Sequence, residues 1–353
     1  MAKVLMKGNE AIGAAAIKAG CKYFFGYPIT PQSELPEYMS RELPKIGGCF
    51  LQAESEIAAI NMVYGAAGSG VRVMTSSSSP GISLKQEGIS YIAGAELPCV
   101  IVNIMRGGPG LGSIQPSQTD YFQATRGGGN GDYKLVVLAP ANLQELVDLI
   151  IEGFDIADQY RNPVMILGDG MIGQMMEPIE FKEPKKRNLP EKDWATTGTK
   201  GKRKPNIINS LYLAAEELEE HNIRLQAKYK EIQENEVKVE SYNIEDADVV
   251  IAAYGTTSRI AKTAIAELES EGYKVGLIRP ITLWPYPYDE FNKISDKCKG
   301  ILTVEMNTGQ MVDDVKIAVN GRFPVHFFGR TGGMIPTPNQ MIKMVKEIYG
   351  GER

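Results

Sequence analysis

From residue 1 to about residue 180, short β-rich runs alternate with stretches of helical period, and the runs lack the polar alternation of a half-exposed sheet. A strand without strict alternation, such as Val100 to Met105, suggests burial on both faces of a parallel sheet. The unit repeats. "EAIGAAAIKAG" predicts a helix ending at Gly20, "YFFGYPIT" a strand and turn, and "ESEIAAINMVYGAAGSG" a second helix with glycines at its end. "VRVMTSSSS", "LPCVIVNIM", "LVVLAP" and "PVMILGDG" predict further strands, separated by helices over "SLKQEGISYIAG" and "NLQELVDLIIEGFDIADQY". An α/β layered domain follows, spanning 1–180.

Residues 181–243 break the pattern. A lysine- and proline-rich stretch, "KEPKKRNLPEKDWATTGTKGKRKP", reads as a solvated connector rather than a nucleic-acid arm, and a bridging helix over "SLYLAAEELEEHNIRLQAKYKEIQENE" follows it. Over 244–353 the α/β pattern returns with "ADVVIAAYG", "AKTAIAELESEG", "KVGLIRPITLWP", "GILTVEM" and "NQMIKMVKEIYG", a second and smaller domain.

Composition removes several function classes. At 353 residues and 43% hydrophobic content, each domain can bury its own core. A net charge of −5 with both signs mixed offers no face for nucleic acid, and no apolar run is long enough to cross a membrane. A soluble cytoplasmic protein is expected. The four cysteines, Cys21, Cys49, Cys99 and Cys298, form no CxxC pair and read as buried thiols, so no metal or cluster ligation is expected of them. The two histidines, His221 and His326, both lie beyond residue 180. A Ser-His-Asp triad or a His-based metal site is thereby excluded from the first domain, whose chemistry must come from carboxylates, arginine, hydroxyls or a cofactor.

The candidates sit where strands end. In "YPITPQSE" the strand stops at the Pro28 turn, which places Thr30 at the carboxyl end of a parallel strand, either as a turn residue or as a ligand hydroxyl. Glu54 and Glu56 lie at a strand-to-helix junction, either as dipole partners or as partly buried carboxylates with raised proton affinity. "MTSSSSPGISL" fails the G-x-S-x-G pattern of a nucleophile elbow and has no histidine base, so its serines read as helix caps. "RGGPGLGSIQPSQTD" matches neither phosphate-binding glycine pattern, and no helical pattern opens after it. What remains there is Arg106, a guanidinium at the end of a buried strand and suited to a carboxylate.

Together, "GYPITP", "ESEIAA", "TSSSSPG", "MRGGPGLGSIQPSQTDYFQATRGGGNGDY", "AAYGTTSRIA", "IRPITLWPYP" and "VEMNTGQM" resemble the α subunit of the 2-oxoacid:ferredoxin oxidoreductases, and "PGLGSIQPSQTDYFQA" is most similar to the branched-chain type. The resemblance implies an α/β fold with a thiamine diphosphate pyrimidine-binding domain followed by a transketolase C-terminal-like domain. It implies that Glu56 bonds N1′ of the aminopyrimidine, with Pro28 and Ile29 beside the cofactor. Thr30 would meet the 2-oxoacid and Arg106 its carboxylate. Mg²⁺, the diphosphate and a [4Fe-4S] cluster would belong to a partner β subunit, with γ and ferredoxin-like δ subunits completing the complex, and ferredoxin and coenzyme A as co-substrates. Gly168-Asp169-Gly170 resembles the start of the cofactor's metal motif but lacks its later Asn, and reads as a strand-ending turn. Three other readings stand beside this one. They are a 2-oxoglutarate enzyme with Arg126 or Lys134 on the distal carboxylate, a non-oxidative thiamine diphosphate enzyme, and a non-catalytic subunit.

Overall fold

The structure, a computed structural model, describes residues 3–182 and 187–350. Its first half runs β1 (Val4–Lys7), α1 (Gly8–Lys18), β2 (Tyr23–Gly26), α2 (Glu34–Glu42), β3 (Cys49–Gln52), α3 (Glu56–Gly68), β4 (Val73–Ser77), α4 (Ser79–Gly94), β5 (Val100–Met105), α5 (Tyr121–Arg126), β6 (Val136–Leu138), α6 (Leu143–Tyr160), β7 (Val164–Asp169), α7 (Gly170–Gln174) and β8 (Met176–Ile179). It continues through α8 (Ala215–Asn235), β9 (Val239–Tyr242), β10 (Val249–Ala252), α9 (Gly255–Ser270), β11 (Val275–Pro280), β12 (Thr282–Trp284), β13 (Gly300–Glu305), α10 (Met311–Val319), β14 (Val325–Gly329) and α11 (Pro338–Gly350).

Side chains set some of these boundaries. Ser55 caps α3 by accepting from the Ala58 amide at 3.2 Å, and Asn142 caps α6 through the Glu145 amide at 2.9 Å. On α1 the buried face is small, with Ala11, Ala15 and Ala16 beside Ile12, which lets the helix lie close against α6. Gly20 follows with a φ of +82°, a left-handed turn that glycine adopts without strain.

The main sheet has the order β3-β2-β4-β5-β7-β6-β12 and is parallel except for β12, which pairs antiparallel with β6. Every residue of β4, β5, β6 and β7 is buried, as strands covered by helices on both faces should be. From β2 the chain moves outward to β3, whereas from β4 it moves the other way to β5. The order therefore reverses between β2 and β4, and the crevice outside their carboxyl ends is where such sheets take ligands. The second sheet, β14-β13-β10-β11-β9, repeats the arrangement with its reversal between β10 and β13. A β1–β8 ribbon lies apart from both.

The two sheets are stitched together by buried polar contacts. Arg279 of β11 grips Glu145 of α6 with two hydrogen bonds of 2.7 and 2.8 Å. Asp314 of α10, fully enclosed, accepts from Tyr121, Tyr288 and Arg126 at 2.6, 2.5 and 2.9 Å. The segment expected to be a solvated connector is mostly exposed, and it is also anchored to the domain at several points. Arg187 pairs with Glu236 and Glu152, Thr196 bonds the Gly68 carbonyl, and Arg161 stacks over Trp194; Glu183 to Lys186 lie outside the described residues. Two further expectations change. Cys49, on edge strand β3, is exposed, while Cys21, Cys99 and Cys298 are buried. A short helix, α5, does open after the glycine-rich loop. Among the described residues no helix is long and apolar enough to cross a membrane.

Candidate active site

The crevice between β2 and β4 gathers residues from four strand ends. Glu56 is the first residue of α3, held at the helix N-terminus by the Ser55 cap, and only 6% of its surface is exposed. Glu54, two residues earlier, is exposed and accepts from the Ser55 hydroxyl at 3.2 Å. The strand-to-helix junction turns one carboxylate inward and leaves the other in water. Among the described residues nothing donates a hydrogen bond to Glu56, and its carboxylate packs on Gly81. A Cβ at Gly81 would stand 2.7 Å from Glu56 Oε1 and 2.0 Å from Ser77 Oγ, so the close approach requires glycine.

Around it lie buried polar atoms without partners among the described residues: Gln32 Nε2, Ser77 Oγ, Ser78 Oγ and Arg106 Nε. Gln32 is fixed by its other end, since its Oε1 accepts from Ser76 Oγ at 2.6 Å. Buried polar groups are seldom left unpaired, and several at one sheet edge mark a place prepared for a polar ligand. Pro28 is exposed on the rim, and Ile29 is half-buried, its carbonyl accepting from the Gln32 amide.

Arg106 ends β5 and is 9% exposed. Its Nη1 donates to the Thr30 carbonyl at 2.9 Å and its Nη2 to the Leu111 carbonyl at 3.2 Å. Thr30 and Arg106 are thus brought together, but through the Thr30 main chain, with the Thr30 side chain exposed. The Arg106 amide is held by Ser79 Oγ at 3.0 Å, and Ser79 donates to Asp120 at 2.6 Å, to which Asn103 also donates at 2.9 Å. Burial raises the proton affinity of the Asp120 carboxyl, against those two bonds.

The glycine loop after Arg106 closes on itself. Gly107 donates to the Gln115 carbonyl at 3.1 Å, and the Ser113 amide to the Gly107 carbonyl at 2.8 Å. Gly112 has φ +57°, and a Cβ there would lie 1.7 Å from the Gly107 oxygen, so no other residue fits that turn. The tip carries Leu111, 84% exposed, and Ile114, 57% exposed, beside the guanidinium.

Several site residues carried no motif. Lys85 of α4 is fully buried, yet it lies on the stripe of Ile82, Ile89 and Ile92, which is the signal that could have found it. Gln32, Asn103 and Asp120 read as ordinary polar residues until the strand ends are assembled. Asp169 ends β7 and caps α7, accepting from the Met171 and Ile172 amides at 2.9 and 3.2 Å, as a strand-ending turn should. No group of three or more His, Cys, Asp or Glu among the described residues is placed to hold a metal ion.

The sequence model described as pyruvate flavodoxin/ferredoxin oxidoreductase, thiamine diphosphate-binding, matches residues 14–246, and pyruvate:ferredoxin oxidoreductase core domain II matches 247–341. The chain is 49% identical over 350 residues, 99% of each sequence, to the ketoisovalerate oxidoreductase subunit VorB of Methanothermobacter marburgensis. A solved 2-oxoglutarate:ferredoxin oxidoreductase from Magnetococcus marinus, with 2-oxoglutarate, coenzyme A and succinyl-CoA bound, superposes with a TM-score of 0.86 at 27% identity, covering 98% of this chain and 65% of that one. A split-gene transketolase, an inactive β4 tetramer, shares the fold with a TM-score of 0.61 at 13% identity and 99% coverage of both chains. The residues fit the pyrimidine end of thiamine diphosphate, because a bare buried carboxylate beside unpaired hydroxyls and an amide suits a flat ring with both a basic nitrogen and an amine. With a family model matching most of its length and a full-length relative at that identity, the chain belongs to the pyruvate flavodoxin/ferredoxin oxidoreductase family, the 2-oxoacid:ferredoxin oxidoreductases its motifs resemble.

Proposed function

We propose that the chain is the α subunit of a thiamine diphosphate-dependent oxidoreductase that decarboxylates 3-methyl-2-oxobutanoate, passes two electrons to ferredoxin and transfers the acyl group to coenzyme A. The observation that carries this reading is the pair of buried groups on one sheet edge, Glu56 bare and Arg106 with an unpaired Nε. When bound, thiamine diphosphate supplies the carbon nucleophile and the electron sink for decarboxylation. Glu56 holds or accepts the proton at the pyrimidine ring nitrogen, which needs no histidine. Arg106 takes the substrate carboxylate, with its Nε free and its long bond to the Leu111 carbonyl open to exchange. Pro28 and Ile29 border the cofactor, and the Thr30 hydroxyl faces the substrate. Diphosphate, Mg²⁺ and iron–sulfur clusters fall to β and δ subunits, with a γ subunit in the same cytoplasmic complex.

The loop tip supports the branched substrate. Leu111 and Ile114 offer apolar surface beside Arg106, which suits an isopropyl group and not a second carboxylate. Neither cation assigned to the 2-oxoglutarate alternative is placed for that task. Arg126 is held by Asp314 at 2.9 Å and stacks on Phe122, and Lys134 precedes β6, at the amino edge of the sheet, opposite the crevice. The test is a low-potential dye assay on the purified complex. Reduction should require both coenzyme A and 2-oxoacid and should be fastest with the branched acid. Dye reduction without coenzyme A, or a preference for 2-oxoglutarate, would refute this reading.

A further inference from the structure

The loop after Arg106 is touched by both units of the chain. Arg106 pairs with Pro116 across its base, so the chain leaves and returns at one point. From the first unit, Gly170 at the start of α7 lies against the returning main chain: a Cβ there would stand 3.6 Å from the Pro116 nitrogen and 3.7 Å from the Ile114 carbonyl oxygen.

From the second unit comes the turn that follows β14. It hangs from the second sheet, with the Arg330 amide donating to the Glu305 carbonyl at 3.2 Å and the Met334 amide to the Thr331 carbonyl at 3.1 Å. Gly333 in that turn has φ +92°, and a Cβ on it would lie 2.2 Å from Gln115 Cβ and 2.9 Å from Gln115 Cγ. Side chains do not come that close, so the turn rests on Gln115 only because residue 333 has none. The residues that follow are fixed to the same sheet: Ser117 Oγ donates to the Met306 carbonyl at 3.3 Å and the Gln118 amide to it at 3.0 Å. Ile114, at the exposed tip, directly precedes Gln115, and Leu111 is tied through its carbonyl to Arg106. Whatever moves Gln115 therefore moves the tip relative to the guanidinium.

We propose that Gly333 is a specificity-determining positioning residue: from the second unit it seats Gln115, and so fixes the apolar tip, Leu111 and Ile114, that receives the hydrocarbon chain of the 2-oxoacid. The proposal rests on the reading that Arg106 takes the carboxylate and this tip the chain. Carboxylate capture and chain selection are then separable. Arg106 acts on every 2-oxoacid alike, whereas Gly333 acts on the difference between an isopropyl and a methyl group.

The test compares kcat/KM for 3-methyl-2-oxobutanoate and for pyruvate in the complete complex, with thermal melting in parallel. Gly333→Ala drives a Cβ onto Gln115 and should lower the branched-to-pyruvate ratio by about tenfold, the scale on which a hydrocarbon pocket discriminates, through KM for the branched acid with kcat little changed. Gly332→Ala is the matched control, because its φ of +64° is also left-handed but a Cβ there meets nothing within 4 Å. It should lower melting and keep the ratio. Gln115→Gly removes the atom that Gly333→Ala strikes, so the double variant should do no worse than Gln115→Gly alone. An unchanged ratio in Gly333→Ala, an equal loss in Gly332→Ala, or additive losses in the double variant overturns the proposal. If Gly333→Ala does not assemble, Gln115→Gly carries the test: a lowered ratio supports the seat and an unchanged one overturns it. Arg106→Ala should lower both acids by the same factor; no effect there would remove the reading of Arg106, so the two failures are distinguishable.

Discussion

The two sheets reverse their strand order beside similar crevices, and the chain treats the two in opposite ways. At the second reversal, between β10 and β13, the crevice is filled by Gln118 from the first unit. Its Nε2 donates to the Tyr254 carbonyl at 2.9 Å, its Oε1 accepts from the Met306 amide at 2.9 Å, and its carbonyl accepts from Asn307 at 2.8 Å. Glu305 beside it is just as enclosed as Glu56 but receives the Asn307 amide and the backbone N–H groups of Gln310, Met311 and Val312 at 2.8 to 3.2 Å. At the first reversal, among the described residues, Glu56 has no donor, and Gln32, Ser77 and Ser78 each keep an unpaired atom. Thr256 Oγ1 and Thr303 Oγ1 stay unpaired at the second reversal among the described residues, so the difference lies in the carboxylates: Glu305 is saturated and helps fasten the two sheets, whereas Glu56 is left open to a ligand.

The sharpest way to break that comparison is Glu56→Gln. It should lower decarboxylation by roughly 10² to 10⁴-fold, the usual reach of a proton-transferring group, with melting unchanged; a drop in melting would make Glu56 structural like Glu305. Gln118→Ala should do the reverse. Leaving buried amide and carbonyl groups unpaired should cost roughly 2 to 4 kcal/mol of stability in chemical denaturation, with activity per folded complex kept. Arg106→Ala should cost roughly 1.5 to 3 kcal/mol in kcat/KM, read as a raised KM for the 2-oxoacid. A subtler difference lies in the pH dependence of stability. Desolvation lowers Lys85 from the ordinary 10.5 to about 7 in the folded state, so the unfolded chain binds the extra proton between those values. Stability from this group is present at high pH and lost as pH falls through about 7. Lys85→Met should therefore flatten the rise in melting temperature between pH 7 and 9. The smallest effect should come from Glu54→Gln, which touches water and should change turnover by about twofold or less.

Most of the main sheet was legible because its strands are buried on both faces, which leaves runs without polar alternation such as Val100 to Met105. The short elements were not. β1, β3 and β8 lie at edges or in a ribbon, half-exposed and four residues long, and nothing local distinguishes them from loops. Helix α5 spans six residues and is held by the distant Asp314 through Tyr121, so its stability comes from packing and not from its own pattern. Exposure on an edge strand overturned the reading of Cys49 for the same reason: its apolar neighbours belong to a strand whose outer side has no partner.

By itself the sequence determined the layered α/β architecture, the strand-end positions of Glu56, Thr30 and Arg106, and the absence of histidine from the first 180 residues, because each follows from residue type and local period. Which of Glu54 and Glu56 turns inward, that Thr30 meets Arg106 through its carbonyl, that Gly333 meets Gln115 in the loop after Arg106, and that Gln118 closes the second crevice were decided by tertiary structure alone. These are relations between strand ends far apart along the chain. Whether a buried polar atom is satisfied depends on what other elements bring to it, and only the assembled sheets settle that.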